Sequence, residues 1–227
     1  MNPWFKQFDY AVFDCDGVIL DSNEIKTQAF RESLPEQPED LVDELVSYHQ
    51  ATGGISRYVK LEYFFKNLKG EADDSKCRDL VEEALELFGT YCYESLVSCD
   101  EILGVRNTLT NLTAASIPMA VVSGAAEHEL CRIFEVRGLS EYFEYVLGSP
   151  KTKIENMKWL KEQGFLCGNG VFFGDSRSDL DAAQYFGLEF VFVRGRSEWE
   201  DGDAKCQELG CRVVDNFESA RSVLGEF

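Results

Sequence analysis

Short apolar runs rich in valine, phenylalanine and tyrosine recur along the chain. They lie at residues 10–14, 119–123, 145–148, 170–175, 189–193 and 212–214. Runs that are this short and this continuously apolar are typical of strands that are covered on both faces. We therefore predict a buried strand at each of these positions.

Helical patterns separate most of these runs after residue 100. They are found in VRNTLTNLTAA, EHELCRIFEVRG, KIENMKWLKEQG and DLDAAQYFG, and several of these segments close on glycine. Parallel strands need a crossover connection, which is usually a helix. Strand alternating with helix thus predicts an α/β fold with a doubly wound parallel sheet.

The segment between the first two apolar runs lacks a strand signal and shows helical periodicity instead. Apolar residues recur at helical spacing, first at Tyr58, Leu61, Phe64, Phe65 and Leu68, and again at Leu80, Ala84, Leu87 and Tyr91. A crossover of this length predicts an inserted α-helical domain. We place this insertion at residues 21–100 and the catalytic core at residues 1–20 and 101–227.

The composition limits the partners that the protein can have. The chain has 227 residues, 44% of them hydrophobic, and a formal net charge of -19. The field of such a charge repels polyanions, so we expect no general affinity for nucleic acid or for an anionic membrane. A phosphorylated substrate would need a strong local cation to offset that field.

The sequence also bears on the compartment in which the protein works. The eight cysteines form no CxxC pair, which favours free thiols in a reducing environment. The first residues show no basic region followed by an apolar stretch, and no apolar run is long enough to span a bilayer. We therefore expect a cytoplasmic protein, either a monomer or a homodimer.

Two carboxylates follow the first predicted strand. Asp14 and Asp16 precede Gly17 and lie at the carboxyl end of that strand, the edge where doubly wound sheets bind ligands. With a side-chain period of two, both carboxylates point the same way if the backbone stays extended. Such a pair repels, so one carboxylate is protonated or a cation lies between them. An ordinary turn is the alternative interpretation.

Polar side chains follow two other predicted strands in the same way. Ser123 and Gly124 follow the second run, where a hydroxyl and backbone N–H groups can hold phosphate oxygens. Asp175 and Asp179 follow the fourth run. The alternatives are a loop hydroxyl and helix caps. Four acidic groups at neighbouring strand ends suit Mg²⁺, which accepts one or two protein carboxylates together with substrate phosphate.

Four segments together resemble the motifs of the haloacid dehalogenase superfamily. In the order of that family they are FDCDGVILDS, VVSG, a lysine within SPKTKIENM, and GDSRSD. The resemblance extends over nearly the whole predicted core, and residues 17–100 match the position of the family's helical cap. The chain is most similar to the phosphoglycolate phosphatase and beta-phosphoglucomutase-like group.

The resemblance implies roles for the residues of the first two motifs. Asp14 would be the nucleophile that attacks phosphorus. Asp16 would protonate the leaving alkoxide and then activate the water that hydrolyses the aspartyl-phosphate. Ser123 and the Gly124 amide would bind the transferring phosphoryl group.

The resemblance also implies the metal ligands and a catalytic lysine. Magnesium would be coordinated by the carboxylates of Asp14 and Asp175 and by the backbone carbonyl of Asp16. Asp179 would act directly or through water. The third motif offers two lysines, neither followed by the proline that is common in this family. We favour Lys153, at the start of a predicted helix, over Lys151 beside Pro150.

The motifs separate several activities. Asp16 favours phosphoryl transfer, because dehalogenases of the superfamily lack an acid at this position. GGISRY resembles the loop that holds a second phosphate in beta-phosphoglucomutase-like members, with Ser56 and Arg57 at the pertinent positions. A helix cap and a solvated arginine are the alternative. GDS at 174–176 favours a phosphatase over a mutase.

We therefore expect a magnesium-dependent phosphatase for a small phosphorylated metabolite, either a sugar phosphate or a phosphoglycolate-like ester. A sugar phosphomutase is the second hypothesis, and a non-catalytic binding module is the third. Lys26 lies where the first cap helix would pass over the site, so it is a candidate contact for the substrate's distal anionic part. A solvated lysine is the alternative there.

Overall fold

A parallel sheet forms the centre of the molecule. The computed structural model describes residues 5–219. Its strands are β1 (Tyr10–Phe13), β2 (Met119–Ala126), β3 (Tyr145–Ser149), β4 (Gly170–Gly174), β5 (Glu189–Val193) and β6 (Arg212–Val214). All neighbours pair in parallel, in the order β3-β2-β1-β4-β5-β6. Every predicted strand is present, and the predicted α/β fold with a parallel sheet is confirmed.

The described part of the chain forms nine α-helices. They are α1 (Asn23–Glu32), α2 (Glu39–Ala51), α3 (Arg57–Tyr63), α4 (Asp74–Leu96), α5 (Val105–Ala114), α6 (Glu127–Val136), α7 (Lys153–Glu162), α8 (Arg177–Phe186) and α9 (Gly202–Leu209). No described helix is both long enough and apolar enough to cross a membrane. All eight cysteines are free thiols.

Alternation along the strands divides the apolar residues between two cores. In β1, Ala11 and Phe13 face the core that includes α5 and α6, whereas Tyr10 and Val12 face the core that includes α7 and α8. Phe13 is fully buried and stacks on Phe173 of β4 with ring centroids 4.7 Å apart. Burying one such ring stabilises the fold by about 1.5–3 kcal/mol. The central strands are therefore fixed from both sides.

The helices α1 to α4, here called the cap, lie between β1 and β2 in sequence. They share a buried apolar interior, in which the rings of Phe30 and Phe88 pack at 4.8 Å between centroids. Of the predicted stripe, Leu61, Phe64 and Phe65 are buried and Tyr58 is partly buried, while Arg57 and Lys60 are buried beside them. The limits of an inserted domain at residues 21 and 100 stay a prediction.

An arginine of the core holds the segment through which the chain leaves the cap. The guanidinium of Arg137 donates hydrogen bonds to the backbone carbonyl oxygens of Leu96 at 2.9 Å and Val97 at 3.2 Å. It also lies 3.5 Å from a carboxylate oxygen of Glu101. These bonds satisfy carbonyl groups at the carboxyl end of α4, which have no partner within the helix. They fix one end of the cap relative to the sheet.

Candidate active site

The predicted site residues meet at one edge of the sheet. The strand register pairs Phe13 of β1 with Val121 of β2 and with Phe173 of β4. Asp14 directly follows β1 and Asp175 directly follows β4, whereas Ser123 and Gly124 lie inside β2, which extends further than the predicted run. The candidate residues therefore belong to three neighbouring strands, towards the carboxyl edge where ligands bind to such sheets.

Asp14 is a buried carboxylate held by two donors. The backbone N–H of Cys15 donates to Asp14 Oδ1 at 2.7 Å, and Lys153 Nζ lies 2.8 Å from Asp14 Oδ2. Lys153 begins α7, whose first turn is closed by a capping box formed by Thr152 and Glu155. The structure thus brings Lys153 to the first strand end, whereas Lys151 is exposed to solvent.

Lys153 also forms an ion pair with Asp179. Burial lowers the pKa of Lys153, but the carboxylates of Asp14 and Asp179 outweigh burial and raise it. The other oxygen of Asp179 accepts hydrogen bonds from the backbone N–H groups of Asp175 and Ser176, at 3.2 and 3.0 Å, and from the Ser176 hydroxyl at 2.6 Å. Both oxygens of Asp179 are therefore engaged, and this carboxylate orients Lys153 and the loop after β4.

Asp14, Asp175 and Asp179 form a buried cluster of carboxylates. Each of them offers one oxygen, and these oxygens all lie within 4.8 Å of one another. Burial, together with Asp179, raises the pKa of Asp14, and burial together with Asp14 raises that of Asp175. One lysine does not neutralise three acids, so the donor set fits a hard dication that takes oxygen ligands. Asp179 Oδ2 already accepts three hydrogen bonds, so Asp14 and Asp175 keep more free lone pairs for such an ion.

An asparagine at the start of the cap contacts this cluster. The side-chain amide of Asn23 donates to Asp175 Oδ2 at 2.7 Å and to the carbonyl oxygen of Arg196 at 2.8 Å. A Cβ atom at Gly17 would lie 2.2 Å from the same Asp175 oxygen, and Gly17 has a φ of +73°. Only glycine lets the turn after Asp16 pass this close. Sequence reasoning missed Asn23, because nothing local links it to Asp175.

Asp16 lies outside the cluster and faces the cap. The Ser22 hydroxyl donates to Asp16 Oδ1 at 2.6 Å, and Lys26 Nζ lies 3.7 Å from Asp16 Oδ2. Burial lowers the pKa of Lys26, but Asp16 outweighs this effect and raises it. The side chain of Lys26 is buried rather than solvated, and its ammonium group faces Asp16, the candidate acid–base residue. Its contact with the substrate stays a prediction.

Ser123 and Gly124 lie where the core meets the cap. The buried Ser123 hydroxyl accepts a hydrogen bond from the backbone N–H of Ala125 at 3.1 Å. A Cβ atom on Gly124 would lie 2.4 Å from the carbonyl oxygen of Gly54 in the cap. The absent side chain at Gly124 therefore allows the GGISRY loop to approach the second strand end.

The two residues predicted from GGISRY have different surroundings. The Ser56 hydroxyl caps α3 by accepting a hydrogen bond from the backbone N–H of Tyr58 at 3.3 Å. The Arg57 guanidinium is buried and donates to both carboxylate oxygens of Glu129 in α6, at 2.8 and 2.5 Å. It also lies over the ring of Phe88, 4.9 Å from its centroid. The charge of Arg57 is thus matched across the interface between cap and core.

A cavity of about 70 Å³ separates the core site from the cap. It is lined by Asp14, Asp16 and Asp175 on the core side and by His49, Lys60 and Phe88 on the cap side. Sequence reasoning missed Lys60, since a lysine on an amphipathic helix is usually solvated. A signal was present, because Lys60 precedes the buried Phe64 by four residues and so shares its face of the helix.

The site and the fold define a hydrolase of the haloacid dehalogenase type. The family profile described as haloacid dehalogenase-like hydrolase matches residues 11–193. The chain belongs to this family, and it is an enzyme of the phosphoric monoester hydrolase class. The resemblance that the four motifs indicated is confirmed.

Curated relatives match over most of the chain. The phosphoglycolate phosphatase of Photobacterium profundum is 28% identical over 192 residues, which cover 79% of this chain and 81% of the relative. The phosphoglycolate phosphatase of Pseudomonas putida is 27% identical over 215 residues, with coverage of 91% and 76%.

Solved structures share the fold. A predicted phosphoglycolate phosphatase from Haemophilus somnus superposes with a TM-score of 0.72 at 20% identity, covering 96% of this chain and 98% of that one. The beta-phosphoglucomutase from Clostridium difficile superposes with a TM-score of 0.68 at 17% identity, covering 92% of each chain. At these identities the likeness concerns the fold alone.

Proposed function

We propose that the protein is a magnesium-dependent phosphatase that hydrolyses a small phosphorylated carboxylate through an aspartyl-phosphate on Asp14. One observation carries the proposal: Asp14 is buried between Lys153 and Asp175 at the floor of a cavity beneath the cap. Asp14, Asp175 and the backbone carbonyl of Asp16 are the groups that would hold magnesium. A bound magnesium ion supplies positive charge beside the phosphoryl oxygens.

In the first step, a carboxylate oxygen of Asp14 forms a bond to phosphorus while the bond from phosphorus to the ester oxygen breaks. The leaving alkoxide takes a proton from Asp16, which lines the cavity beside Asp14. Lys153, held by Asp179, offsets negative charge on Asp14 and on the transferring group. Ser123 and the Gly124 amide are the candidate donors to the phosphoryl oxygens.

In the second step, Asp16 removes a proton from water, which attacks phosphorus and releases inorganic phosphate and the Asp14 carboxylate. Ser22 and Lys26 orient Asp16 for both proton transfers. The cap covers the site, so the acyl phosphate is exposed only to water within the cavity.

The size of the cavity and the relatives support a small substrate. The cavity is small, which favours a small ester over a nucleotide, and relatives of this chain are phosphoglycolate phosphatases. The sugar phosphomutase hypothesis is weaker, because the charge of Arg57 is already matched by Glu129. The free thiols support a reducing compartment, so we propose a cytoplasmic location.

The aspartyl-phosphate can be trapped in an Asp16→Asn variant. An aryl phosphate has a leaving group that needs no proton, so this variant should form the acyl phosphate but hydrolyse it slowly. After an acid quench, mass spectrometry of the peptide that contains Asp14 should show one added phosphoryl group. The added mass should disappear when Asp14→Asn is combined with Asp16→Asn.

A matched control uses an acid remote from the site. Asp74→Asn changes a carboxylate whose side chain is 82% exposed, and it should turn over the aryl phosphate without accumulating the adduct. Magnesium-dependent turnover by Asp14→Asn at the wild-type rate, or a phosphoryl group on another residue, would refute the proposal.

A further inference from the structure

One lysine that faces the cavity has no acidic partner within ion-pair distance among the described residues. Lys60 is 1% exposed and lines the cavity from the cap side. Its ammonium group donates to His49 Nδ1 at 2.7 Å and to the His49 carbonyl oxygen at 3.3 Å. An ammonium group has three N–H donors. Within residues 5–219, the third donor of Lys60 has no hydrogen-bond acceptor.

The neighbouring histidine accepts a hydrogen bond from Lys60 and stays neutral. Because His49 Nδ1 accepts from Lys60, the neutral ring carries its hydrogen on Nε2. That nitrogen is buried and has no hydrogen-bond partner within the described part of the chain. Burial and the charge of Lys60 lower the pKa of His49 to about 2, so the ring stays neutral. Glu198 Oε2 lies 3.9 Å from Nε2, beyond hydrogen-bond reach.

We propose that Lys60, held in place by His49, forms a subsite that binds the carboxylate of a small phosphate monoester whose phosphoryl group lies at Asp14. This inference rests on the proposed function and names the part of the enzyme that recognises the non-reacting end of the substrate. The free N–H donor of the Lys60 ammonium group suits a carboxylate oxygen, with which it forms a charge-assisted hydrogen bond. Lys60 lines the cavity that has Asp14 at its floor.

A carboxylate fits this subsite better than a second phosphate does. The other buried cations of the cap are already matched, Arg57 by Glu129 and Lys26 by Asp16. Glu198 faces the same histidine from the core, and its negative charge disfavours a dianion more than a monoanion. A single ammonium group with a neutral histidine beside it therefore recognises a singly charged group.

The subsite is tested by comparing two substrates that differ in the carboxylate alone. The values of kcat/KM for phosphoglycolate and for ethyl phosphate are measured with saturating magnesium at slightly acidic pH. In Lys60→Met, which keeps the length of the side chain, the ratio of the two values should fall about 10–100-fold, the loss expected for one charge-assisted hydrogen bond. Lys60→Arg should restore part of the ratio.

The matched control is Lys66→Met, which removes an exposed lysine of the cap whose side chain is 44% exposed. Its ratio should equal that of the wild type. An unchanged ratio in Lys60→Met, or an equal loss with both substrates, would overturn the subsite and leave the phosphatase activity standing. Wild-type protein that releases phosphate from neither substrate would overturn the proposed function instead.

A measurement on the wild-type protein avoids dependence on the folding of a variant. Glycolate should inhibit hydrolysis of ethyl phosphate competitively, whereas neutral ethylene glycol at the same concentration should not. Equal effects of glycolate and ethylene glycol would contradict a subsite that recognises charge. Comparable inhibition by acetate would support it, because acetate supplies the same carboxylate.

Discussion

Three buried cations of the cap face the site, and each is balanced in a different way. Arg57 has a carboxylate with two hydrogen bonds, Lys26 has a carboxylate at 3.7 Å, and Lys60 has only a neutral histidine. Taking an ammonium group out of water without a carboxylate partner is costly and favours its neutral form. Burial accordingly lowers the pKa of Lys60 to about 7, whereas the pKa of Lys26 is raised.

The pKa of Lys60 predicts a pH dependence of substrate preference. The charged groups that act on this ammonium are Glu198 and Asp16, which raise its pKa, and Lys153, which lowers it; His49 stays neutral. The carboxylate needs the charged form, which is present below the pKa. The ratio of kcat/KM for phosphoglycolate to that for ethyl phosphate should therefore be high below about pH 7 and fall above it.

Both substrates share the phosphoryl group and the catalytic residues, so the pH dependence caused by titration of these groups cancels in the ratio. Rate profiles measured from mildly acid to mildly alkaline pH would test the effect. In Lys60→Met the ratio should be low and independent of pH. A wild-type ratio that rises with pH would contradict the assignment.

At the scale of elements, the cap is held against the core by contacts on two sides of the cavity. On one side α3 meets α6 through Arg57 and Glu129. On the other side, Glu198 in the loop after β5 accepts hydrogen bonds from Thr27 of α1 at 3.1 Å and Gln50 of α2 at 3.3 Å. These polar contacts hold the cap against the core on both sides of the cavity.

The contact between Arg57 and Glu129 predicts a measurable coupling. Arg57→Met should lower the free energy of unfolding by about 3 kcal/mol, because it leaves a partly buried carboxylate without its partner. A double-mutant cycle with Glu129→Gln, followed by urea denaturation, should give a coupling of about 1–3 kcal/mol.

An exposed ion pair of the cap is the control for this cycle. Arg31 and Asp43 have side chains that are 39% and 57% exposed. Their coupling, measured with Arg31→Met and Asp43→Asn, should be below about 1 kcal/mol. Equal couplings for the two pairs would show that the contact between cap and core has no special strength.

At the scale of the whole molecule, the net charge opposes the binding of a phosphorylated substrate at the site. The net charge of -19 repels a phosphorylated substrate at long range. Lys26 and Lys60 line the cavity, and Lys153 lies beside Asp14 at its floor. Within this low-dielectric space, local charges outweigh distant ones that water and salt screen.

The carboxylate cluster predicts that magnesium stabilises the whole fold. Magnesium that binds only the native state adds about 2.7 kcal/mol at a concentration one hundred times its Kd. For a chain of this size that corresponds to a rise in Tm of roughly 5–10 °C. Differential scanning calorimetry with chelator and with magnesium would measure it.

Two variants make the thermal test specific. Asp175→Asn should lose most of the rise in Tm, and Asp74→Asn, remote and exposed, should keep it. A magnesium-dependent rise that is the same in Asp175→Asn and in wild type would place the ion elsewhere. No rise in the wild type would contradict a magnesium site at this cluster.

The order of strands and helices and the residues at the strand ends were predictable from the sequence. Each depends on a local pattern: apolar runs for β1 to β6, and Asp14, Ser123 or Asp175 as the last residue of a run. Parallel strands place their carboxyl ends at one edge, so residues far apart in sequence could be placed together. The resemblance of the third motif indicated a lysine, and the start of a predicted helix favoured Lys153 over Lys151.

The sequence by itself therefore determined the fold class and the core of the site. Only the tertiary structure decided what the cap contributes: the pairing of Arg57 with Glu129, the contact of Asn23 with Asp175, and the burial of Lys60 beside His49. The physical reason is that parallel strands place all their carboxyl ends at the same edge of the sheet, which fixes the surroundings of the residues there. A residue on a cap helix acquires its partners only when the cap packs on the core.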